Sequence, residues 1–263
     1  MGKPLYQAEG EILATTSRIE WFIHNFEKYV KSHTVRESNS LIERISWEPL
    51  GTILNISAWN YPYFIGSNAF VPALLTGNSF IYKPSEITPL TGIKIRELMI
   101  KAGLDKDLFQ VIVGGGSVGQ TLLEYPIDGV FFTGSYETGK KIAQTVSGKM
   151  IKKVMELGSK DPAYVCEDVK IEKVVDELAS GVFYNAGQSC CSVERIYVHE
   201  EVYERFVELF YTKAMSLKVG DPMDSKTYMG PLARFDQIAF LNQQREDAVK
   251  KGAVELISGG YDK

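Results

Sequence analysis

The sequence predicts an α/β protein in which helices cover both faces of a parallel sheet. Between residues 51 and 158, short apolar strands alternate with amphipathic helices, as parallel strands with helical crossovers require. Glycines follow two of these strands and open the next helix, which is typical of sheets that bind ligands at strand ends. The 263 residues suffice for one large or two medium domains with a substantial core.

Composition is that of an ordinary globular protein. The chain is 44% hydrophobic and 24% charged, and its 29 basic and 33 acidic residues give a formal net charge of -4. Because no block of like charge occurs, we expect no nucleic-acid partner and no membrane-surface partner. No apolar run is long enough to cross a bilayer, and the amino terminus is not that of a signal peptide.

Cysteine and histidine usage predicts a reducing compartment and no metal. With three cysteines there is no disulfide framework, so we expect a cytoplasmic protein. The three histidines are too scattered for a metal site. The residues concerned are Cys166, Cys190, Cys191, His24, His33 and His199.

The first fifty residues predict one helix and one strand. Apolar residues at helical spacing predict a helix from about Glu9 to Lys31. Polar Ser32–Asn39 is interpreted as a connector. Leu41–Trp47 alternates loosely, as a half-exposed strand would. Because a single strand leaves an unpaired edge, we expect a partner for it from another segment or subunit.

The middle of the chain predicts five strands with helices between them. The strands are Thr52–Ile56, Ser79–Lys83, Gln110–Val113, Gly129–Thr133 and Lys153–Leu157. The helices follow Pro62, span Leu90–Ala102, and run to Glu124 and to about Val146. A further amphipathic helix is predicted from Ile171 to Phe183, and a strand at Ile196–Val198.

The stretch Asn185–Cys191 predicts a reactive thiol. The helix that ends at Phe183 leads into a short polar segment with one glycine, and Cys190 and Cys191 close it. A thiol on a turn that a buried helix holds in place is how a cysteine nucleophile is usually mounted. The alternative is that both cysteines are small buried hydrophobic side chains.

Two glycine turns and one charged pair indicate a phosphate-bearing ligand. The Gly115–Gly119 and Gly134–Gly139 turns let backbone N–H groups approach an anion at a helix start. Lys83 and Glu86 follow a strand, where a cation and a carboxylate suit phosphate and ribose hydroxyls. The alternatives are ordinary tight turns for the glycines and a solvated loop pair for the charges.

Taken together, these residues resemble the aldehyde dehydrogenase superfamily over nearly the whole chain. The motifs, in the family's order, are Gly2-Lys3-Pro4-Leu5, Glu48-Pro49-Leu50-Gly51, Trp59-Asn60-Tyr61-Pro62, Gly77-Asn78 with Lys83-Pro84-Ser85-Glu86, Phe132-Thr133-Gly134-Ser135, Glu156-Leu157-Gly158 and Asn185 to Cys190. Gly158–Pro162 and Gly230–Arg234 are most similar to bacterial succinate-semialdehyde and aliphatic aldehyde members.

The resemblance implies a division of the chain. Residues 1–36 and 51–158 correspond to part of a dinucleotide-binding domain with a Rossmann-like parallel sheet. Residues 37–50 correspond to an oligomerisation strand region, and 159–263 to the first part of an α/β catalytic domain with the nucleophile. The chain stops at Gly259–Lys263, before the family's remaining catalytic region, so we expect a fragmentary or mis-split gene, or an isoform. A full-length form is expected to be a homodimer or homotetramer.

The resemblance also implies a mechanism for oxidising an aldehyde to a carboxylic acid. Cys190 attacks as thiolate to form a thiohemiacetal, hydride passes to NAD(P), and Glu156 activates water against the thioester. The Asn60 amide and the N–H of the nucleophile stabilise the oxyanion. Alternatively, Asn60 caps the following helix and Glu156 is a structural ion-pair partner. Cys191 is interpreted as a bystander, with a Cys190–Cys191 disulfide under oxidation as the alternative.

The cofactor implied by the resemblance is NAD, with NADP as the alternative. Glu86 would bond the adenosine ribose 2′-hydroxyl and repel a 2′-phosphate, which favours NAD. Lys83 and Ser85 would accommodate a phosphate if Glu86 swung away. The expected cofactor residues are Ile56, Trp59, Lys83, Ser85, Glu86, Gly115, Gly119, Gly134, Ser135, Gly139 and Leu157.

The substrate implied is a small aldehyde in a mostly aromatic or neutral tunnel. The expected tunnel residues are Tyr61, Phe64, Ile65, Asn68, Tyr184 and Ser189. They fit a modest aliphatic aldehyde, and none is a cation that would hold the carboxylate of succinate semialdehyde. Two residues depart from the family's pattern: Ala58 replaces a usual proline, and Ser159 replaces the second glycine of Glu-Leu-Gly-Gly, where a side chain would crowd the nicotinamide.

Two rivals to the dehydrogenase hypothesis are considered. The truncated chain could be a non-catalytic protein that binds nucleotide or full-length subunits without turnover. Alternatively, Cys190 and Glu156 could hydrolyse activated esters, a reaction that needs no nicotinamide.

Overall fold

The computed structural model of the chain describes residues 1–257. Its helices are α1 (Leu5–Val30), α2 (Phe64–Leu75), α3 (Pro89–Lys101), α4 (Gly116–Leu122), α5 (Tyr136–Thr145), α6 (Ile171–Phe183), α7 (Tyr203–Ser216) and α8 (Gln237–Lys250). Its strands are β1 (His33–Glu37), β2 (Ile42–Ile45), β3 (Thr52–Ile56), β4 (Ser79–Lys83), β5 (Phe109–Val111), β6 (Gly129–Gly134), β7 (Lys152–Leu157), β8 (Asp161–Val165) and β9 (Val193–Val198). The expected chain end at Gly259–Lys263, with the last positions of the predicted 159–263 domain, lies outside the described residues.

The chain forms two compact units. One is Ala8–Gly158, and the other combines Met1–Gln7 with the chain from Ser159 onward, so the division falls within α1. The dinucleotide-binding, oligomerisation and catalytic assignments of the predicted domains stay predictions. Within residues 1–257, no helix is both long and apolar enough to cross a membrane.

The Ala8–Gly158 unit is built on a five-stranded parallel sheet, which confirms the predicted fold class. The strands lie in the order β5-β4-β3-β6-β7. Strand β3 is buried along most of its length, as parallel strands covered on both faces are. From β3 the chain proceeds to β4 and β5 at one edge, then returns to β6 beside β3. The strand order therefore reverses between β3 and β6, and open α/β sheets bind ligands outside the carboxyl ends of the strands at such a point.

Helices pack on the two faces of this sheet in two apolar clusters. One cluster joins α2 and α3 to the sheet through buried aromatic rings, and the α1 residues Ile19 and Phe22 pack against it. Phe70, Phe80 and Phe109 form its centre, with Phe80 and Phe109 stacked at 5.8 Å. The other cluster joins α4 and α5 to β3 and β6. Close packing on both faces fixes the strand ends at one edge.

Residues 32–47 form an exposed antiparallel pair of strands. The predicted connector Ser32–Asn39 is wrong, because residues 33–37 form β1, which pairs with β2. The partner expected for the Leu41–Trp47 strand is therefore a neighbouring segment of the chain. The half-exposed pattern is also wrong: both strands are exposed at every residue. The β-branched Val35 and Thr34 allow strand pairing here without a buried face.

The second unit contains two parallel strands covered by helices. Strands β8 and β9 pair in parallel, and α6 and α7 pack on them around Val165, Val175 and Phe206. The predicted helix Ile171–Phe183 is confirmed to the residue as α6. β8, α7 and α8 were not predicted; β8 begins with an aspartate and a proline, both depleted in strands, so its strand signal is faint.

Candidate functional site

The carboxyl edge of the sheet brings four predicted cofactor residues to one place. Ile56, Lys83, Gly134 and Leu157 each end a strand of this sheet. Ile56 is in register with Lys83 on one side and Phe132 on the other. Gly134 is in register with Leu157. The parallel register places these strand ends along one edge of the sheet, on both sides of the reversal between β3 and β6, where a ligand crevice is expected.

Gly119 in α4 lies directly over two of these residues. A Cβ at position 119 would stand 3.6 Å from the Ile56 side chain and 3.6 Å from the Lys83 side chain, which is ordinary van der Waals contact. Ile56, Lys83 and Gly119 are thus brought together. Gly139 in α5 has a tighter neighbour, since a Cβ there would stand 2.6 Å from Leu157. Close packing of α5 on β7 is a sufficient reason for that glycine.

Lys83 is a buried cation beside an exposed carboxylate. Its side chain is 4% exposed, and its Nζ lies 3.7 Å from the Glu86 carboxylate, which is 59% exposed. Burial lowers the pKa of the Lys83 ammonium, and the Glu86 charge and hydrogen bond oppose that shift. The alternative of a solvated loop pair is therefore wrong for Lys83. A cation held out of water next to a ligand crevice is suited to an anionic group.

Two predicted cofactor serines have local structural bonds. Ser85 is buried, and its hydroxyl accepts a hydrogen bond from the Ile87 N–H at 3.3 Å. Ser135 is the N-cap of α5: its hydroxyl accepts from the Thr138 N–H at 3.3 Å and donates to the Thr138 hydroxyl at 2.9 Å. These bonds hold the two turns without excluding a ligand. Gly115 is the N-cap residue of α4, and a Cβ there would meet open space, so packing does not require that glycine.

Asn60 lies on the half-buried turn that leads into α2, and a residue far along the chain fixes this turn. The Glu11 carboxylate accepts hydrogen bonds from the Tyr63 N–H at 2.7 Å and the Phe64 N–H at 3.1 Å. Glu11 is 5% exposed, and Tyr63, the N-cap residue of α2, makes no side-chain cap. The capping of these two N–H groups, for which Asn60 was the alternative, thus comes from Glu11.

The ring of Tyr82 supports the same turn from the sheet. Its hydroxyl donates to the Pro62 carbonyl oxygen at 3.5 Å. Burial, with a smaller contribution from the Glu11 charge, raises the pKa of Tyr82 to about 12. The phenol therefore stays a neutral donor at physiological pH. A carboxylate and a phenol together hold the start of α2, next to Asn60.

Glu156 is the last residue but one of β7, an edge strand of the sheet. It is in register with Thr133 of β6 and is exposed. Among the described residues of its own unit, no cationic group forms an ion pair with it, so the ion-pair alternative gains no support there. An exposed carboxylate at the carboxyl end of a parallel strand stands where α/β sheets place reactive groups.

The cysteine stretch leaves α6 through a left-handed turn. Asn185 and Ala186 have φ angles of 54° and 56°, and Gly187 follows with φ 72°. Asn185 is buried, and its side-chain amide donates to the Gln188 carbonyl oxygen at 3.2 Å. Non-glycine residues rarely adopt this conformation, and such strain clusters at functional sites. The turn reverses the chain between α6 and the thiols.

Both thiols at the end of this turn are exposed, which makes the buried-hydrophobe alternative wrong. Cys190 and Cys191 are exposed, whereas Cys166 is half-buried. Although Cys190 is exposed as a residue, protein atoms partly shield its thiol, and this desolvation raises its pKa; the neighbouring Cys191 thiol raises it further. The Ser189 hydroxyl lies 3.4 Å from the Cys191 sulfur. Because the thiolate is the nucleophilic form, a base must assist Cys190 at neutral pH.

The expected tunnel residues lie in both units. Tyr61, Phe64, Ile65 and Asn68 are on or just before α2, and Asn68 is exposed, donating to the Phe64 carbonyl oxygen at 3.1 Å. Tyr184 and Ser189 belong to the cysteine stretch of the second unit. Each set is brought together within its own unit.

Sequence reasoning missed three residues on α1. The guanidinium of Arg18 lies 5.7 Å from the centre of the Phe64 ring, so a cation does stand beside a predicted tunnel residue. Gln7 and Glu11 are buried and polar. They continue, at intervals of four, the helical stripe through Thr15 and Ile19, which is a signal that could have been read. Nothing in the sequence distinguishes Arg18 from other exposed charges.

Comparison with known proteins decides the family. The family model described as "Aldehyde dehydrogenase family" matches residues 1–263. The chain belongs to the aldehyde dehydrogenase family. The match includes both units, so the cysteine stretch and the parallel sheet are parts of one aldehyde dehydrogenase sequence pattern.

Solved aldehyde dehydrogenase structures have the same fold. An aldehyde dehydrogenase from Brucella melitensis biovar abortus 2308 is 33% identical with a TM-score of 0.93, covering 100% of this chain and 55% of that one. An NADP-dependent enzyme of E. coli is 32% identical with a TM-score of 0.95, covering 100% and 55%. PnpE in complex with nicotinamide adenine dinucleotide is 33% identical with a TM-score of 0.84, covering 88% and 48%. The chain spans about half the length of these structures.

Proposed function

We propose that this chain carries the nucleophile and much of the cofactor site of an NAD(P)-dependent aldehyde dehydrogenase, which oxidises an aldehyde to a carboxylic acid. The observation that supports it most is the exposed Cys190 at the end of a strained, buried turn, in a chain that matches the family model throughout. An exposed thiol at such a turn is accessible to a carbonyl carbon.

The residues at the sheet's carboxyl edge fit a nicotinamide dinucleotide. Lys83 offers a buried cation for a phosphate or a ribose hydroxyl, and Glu86 offers an exposed carboxylate for ribose hydroxyls. Gly119 packs over both Ile56 and Lys83, which places the start of α4 beside this edge of the sheet. A nicotinamide held there would supply the acceptor for the hydride that the substrate carbon loses once the Cys190 sulfur is bonded to it.

Three side chains of this chain then serve the reaction. The Cys190 sulfur forms a bond to the aldehyde carbon, and the Asn60 amide and the Cys190 N–H donate to the oxygen that becomes negative. Loss of one such donor commonly costs about 3–4 kcal/mol of barrier. Glu156, exposed at its strand end, takes a proton from water, which releases the acid from the thioester. Because the pKa of the Cys190 thiol is raised, a base is also needed to remove its proton and form the thiolate.

Cofactor preference is proposed to be NAD, with NADP as the alternative. The Glu86 carboxylate, 3.7 Å from Lys83, would repel a 2′-phosphate unless it moved. The structural relatives include an NADP-dependent enzyme and a nicotinamide adenine dinucleotide complex, so the fold itself accommodates either.

The substrate is proposed to be a small aliphatic aldehyde, and one observation favours a second candidate. The neutral set around Phe64 and Asn68 suits an aliphatic chain. Arg18, beside the Phe64 ring, supplies the cation that the sequence prediction lacked, and so favours an aldehyde that carries a carboxylate, such as a semialdehyde.

We also propose, by analogy with the family, that the protein forms a homo-oligomer and lies in a reducing compartment. The exposed strands β1 and β2, within or next to residues 37–50, present unpaired edges and apolar side chains such as Val35 and Ile42, which suit pairing in a homodimer or homotetramer. The free thiols fit a reducing compartment, the cytoplasm.

The experiment is reduction of NAD or NADP by the purified 263-residue chain with butanal or with succinate semialdehyde. We expect aldehyde-dependent reduction that Cys190→Ala abolishes and that Cys191→Ala, the matched neighbour, retains. Arg18→Gln is expected to lower kcat/KM for the semialdehyde about tenfold, the loss of one charge-assisted bond, and to leave butanal unchanged.

Other results would favour the rivals. Cleavage of p-nitrophenyl acetate by the wild-type chain without cofactor reduction favours ester hydrolysis. NAD binding without either activity favours a non-catalytic protein. Full activity in Cys190→Ala would contradict the proposal.

A further inference from the structure

The loop that carries Cys190 begins with a turn that is unfavourable on its own. Asn185 has φ 54° and ψ 33°, and Ala186 has φ 56° and ψ 35°. A left-handed conformation is unfavourable for an L-residue, and asparagine tolerates it better than alanine. Strain of this kind persists only where the surroundings impose it. Bonds from outside the turn must therefore hold it.

The buried side chain of Gln7 supplies one set of these bonds. Its Oε1 accepts from the Asn185 N–H at 3.0 Å, and its Nε2 donates to the Tyr228 carbonyl oxygen at 2.9 Å. Its backbone carbonyl oxygen accepts from the Tyr184 hydroxyl at 3.3 Å. Gln7 and Asn185 are each 1% exposed. A primary amide both accepts and donates, as these two opposite partners require.

Gln188 supplies the second set from within the loop. Its Oε1 accepts from the Ala233 N–H at 2.9 Å, and its Nε2 donates to the Asn185 carbonyl oxygen at 3.0 Å. The turn is thus tied twice to the segment 228–233, once through Gln7 and once through Gln188. Cys190 follows Gln188 by two residues. The direction of its thiol therefore depends on the backbone position that these hydrogen bonds fix at Gln188.

We propose that Gln7 and Gln188 are positioning residues for Cys190: their amides impose the left-handed turn and thereby fix how the thiol is presented. The kinetic consequence rests on the proposed function. The bonds themselves lie wholly within the unit that holds the thiol.

The test compares Gln7→Leu, Gln7→Glu and Gln243→Leu in the 263-residue chain. Leucine has nearly the volume of glutamine but no polar atoms, whereas glutamate keeps the acceptor for the Asn185 N–H. Gln243→Leu makes the same substitution at an exposed position of α8. The readouts are kcat and KM for aldehyde and cofactor, and the rate at which iodoacetamide alkylates each cysteine, resolved by peptide mass spectrometry.

We expect Gln7→Leu to lower kcat at least about tenfold and to leave the cofactor KM within about twofold, because misplacement of a reacting group costs rate rather than binding. Freed from its packing, the Cys190 thiol is expected to be alkylated about threefold faster, with Cys166 unchanged. Gln7→Glu should lie between wild type and Gln7→Leu, and Gln243→Leu should match wild type.

Wild-type kcat and wild-type alkylation at Cys190 in Gln7→Leu would overturn the proposal. Equal acceleration at Cys166 and Cys190 would also overturn it, since that indicates general loosening. If Gln7→Leu does not fold, Gln188→Leu breaks the other tie and is judged by the same criteria. If the wild-type chain reduces no cofactor, the proposed function fails, and the ratio of Cys190 to Cys166 alkylation still decides the positioning role.

Discussion

Ala186 is the residue at which the backbone beside the nucleophile is most strained. Its φ of 56° lies in the left-handed region, between an asparagine, which tolerates that region, and a glycine, which prefers it. The sequence shows the glycine and the polar segment but not the two left-handed residues before it, because alanine normally favours the right-handed helix that α6 would have continued.

The strain at Ala186 predicts a stabilising glycine substitution. Ala186→Gly should raise the free energy of unfolding by up to about 1 kcal/mol, because relief of the left-handed conformation exceeds the entropy that glycine loses on folding. The matched control is Ala248→Gly in α8, where the right-handed helix should make the same change cost about 1 kcal/mol. The stability changes of both variants can be measured by urea unfolding, monitored through the hydrogen exchange of peptides from residues 159–257. A loss of stability at Ala186→Gly equal to that at Ala248→Gly would refute the strain argument.

Candidate site residues could be predicted where they belong to a short sequence motif. Asn60, Lys83 and Cys190 could be named from the sequence because each stands in a distinctive local pattern. Arg18 could not, because its significance comes from the Phe64 ring, which lies 46 positions away in the chain and packs beside it only in the fold.

Helix α2 illustrates how one element depends on another. It starts immediately after the Asn60 turn, and its first N–H groups are satisfied by Glu11 of α1. Because a helix leaves its first N–H groups without intrahelical partners, a buried start needs such an acceptor. The cap could not be read from the sequence around residue 63, since its acceptor lies 52 residues earlier.

Removal of this cap should destabilise the Ala8–Gly158 unit. Glu11→Ala leaves two buried N–H groups without their acceptor and should cost about 2–3 kcal/mol, whereas Glu11→Gln keeps an acceptor and should cost about 1 kcal/mol. Glu9→Ala, an exposed position on the same helix, should change stability by less than about 0.5 kcal/mol. Tryptophan fluorescence during urea unfolding reports on this unit, because Trp21, Trp47 and Trp59 all lie in it. Equal effects of Glu11→Ala and Glu9→Ala would show that the carboxylate is no cap.

For the whole molecule, the strand–helix alternation made the parallel sheet predictable. The order β5-β4-β3-β6-β7 was not, because the return of the chain from β5 to a position beside β3 depends on packing between distant segments. That return creates the reversal beside Ile56, so the cofactor residues could be named while their arrangement around the reversal could not. Strand β2 lies within the predicted Leu41–Trp47 strand, whereas β1 was not predicted because its exposed residues lack an apolar alternation.

In the proposed reaction, Cys190 bonds to the aldehyde carbon and carries the acyl group until water releases it. The most direct measurement is peptide mass spectrometry of the Glu156→Gln chain after incubation with butanal and NAD. We predict that the peptide with Cys190 gains the butanoyl group, one thiol proton being lost, because the variant slows the attack of water. Reduced NAD without an acyl group on Cys190, or an acyl group on Cys191 or Cys166 instead, would contradict it.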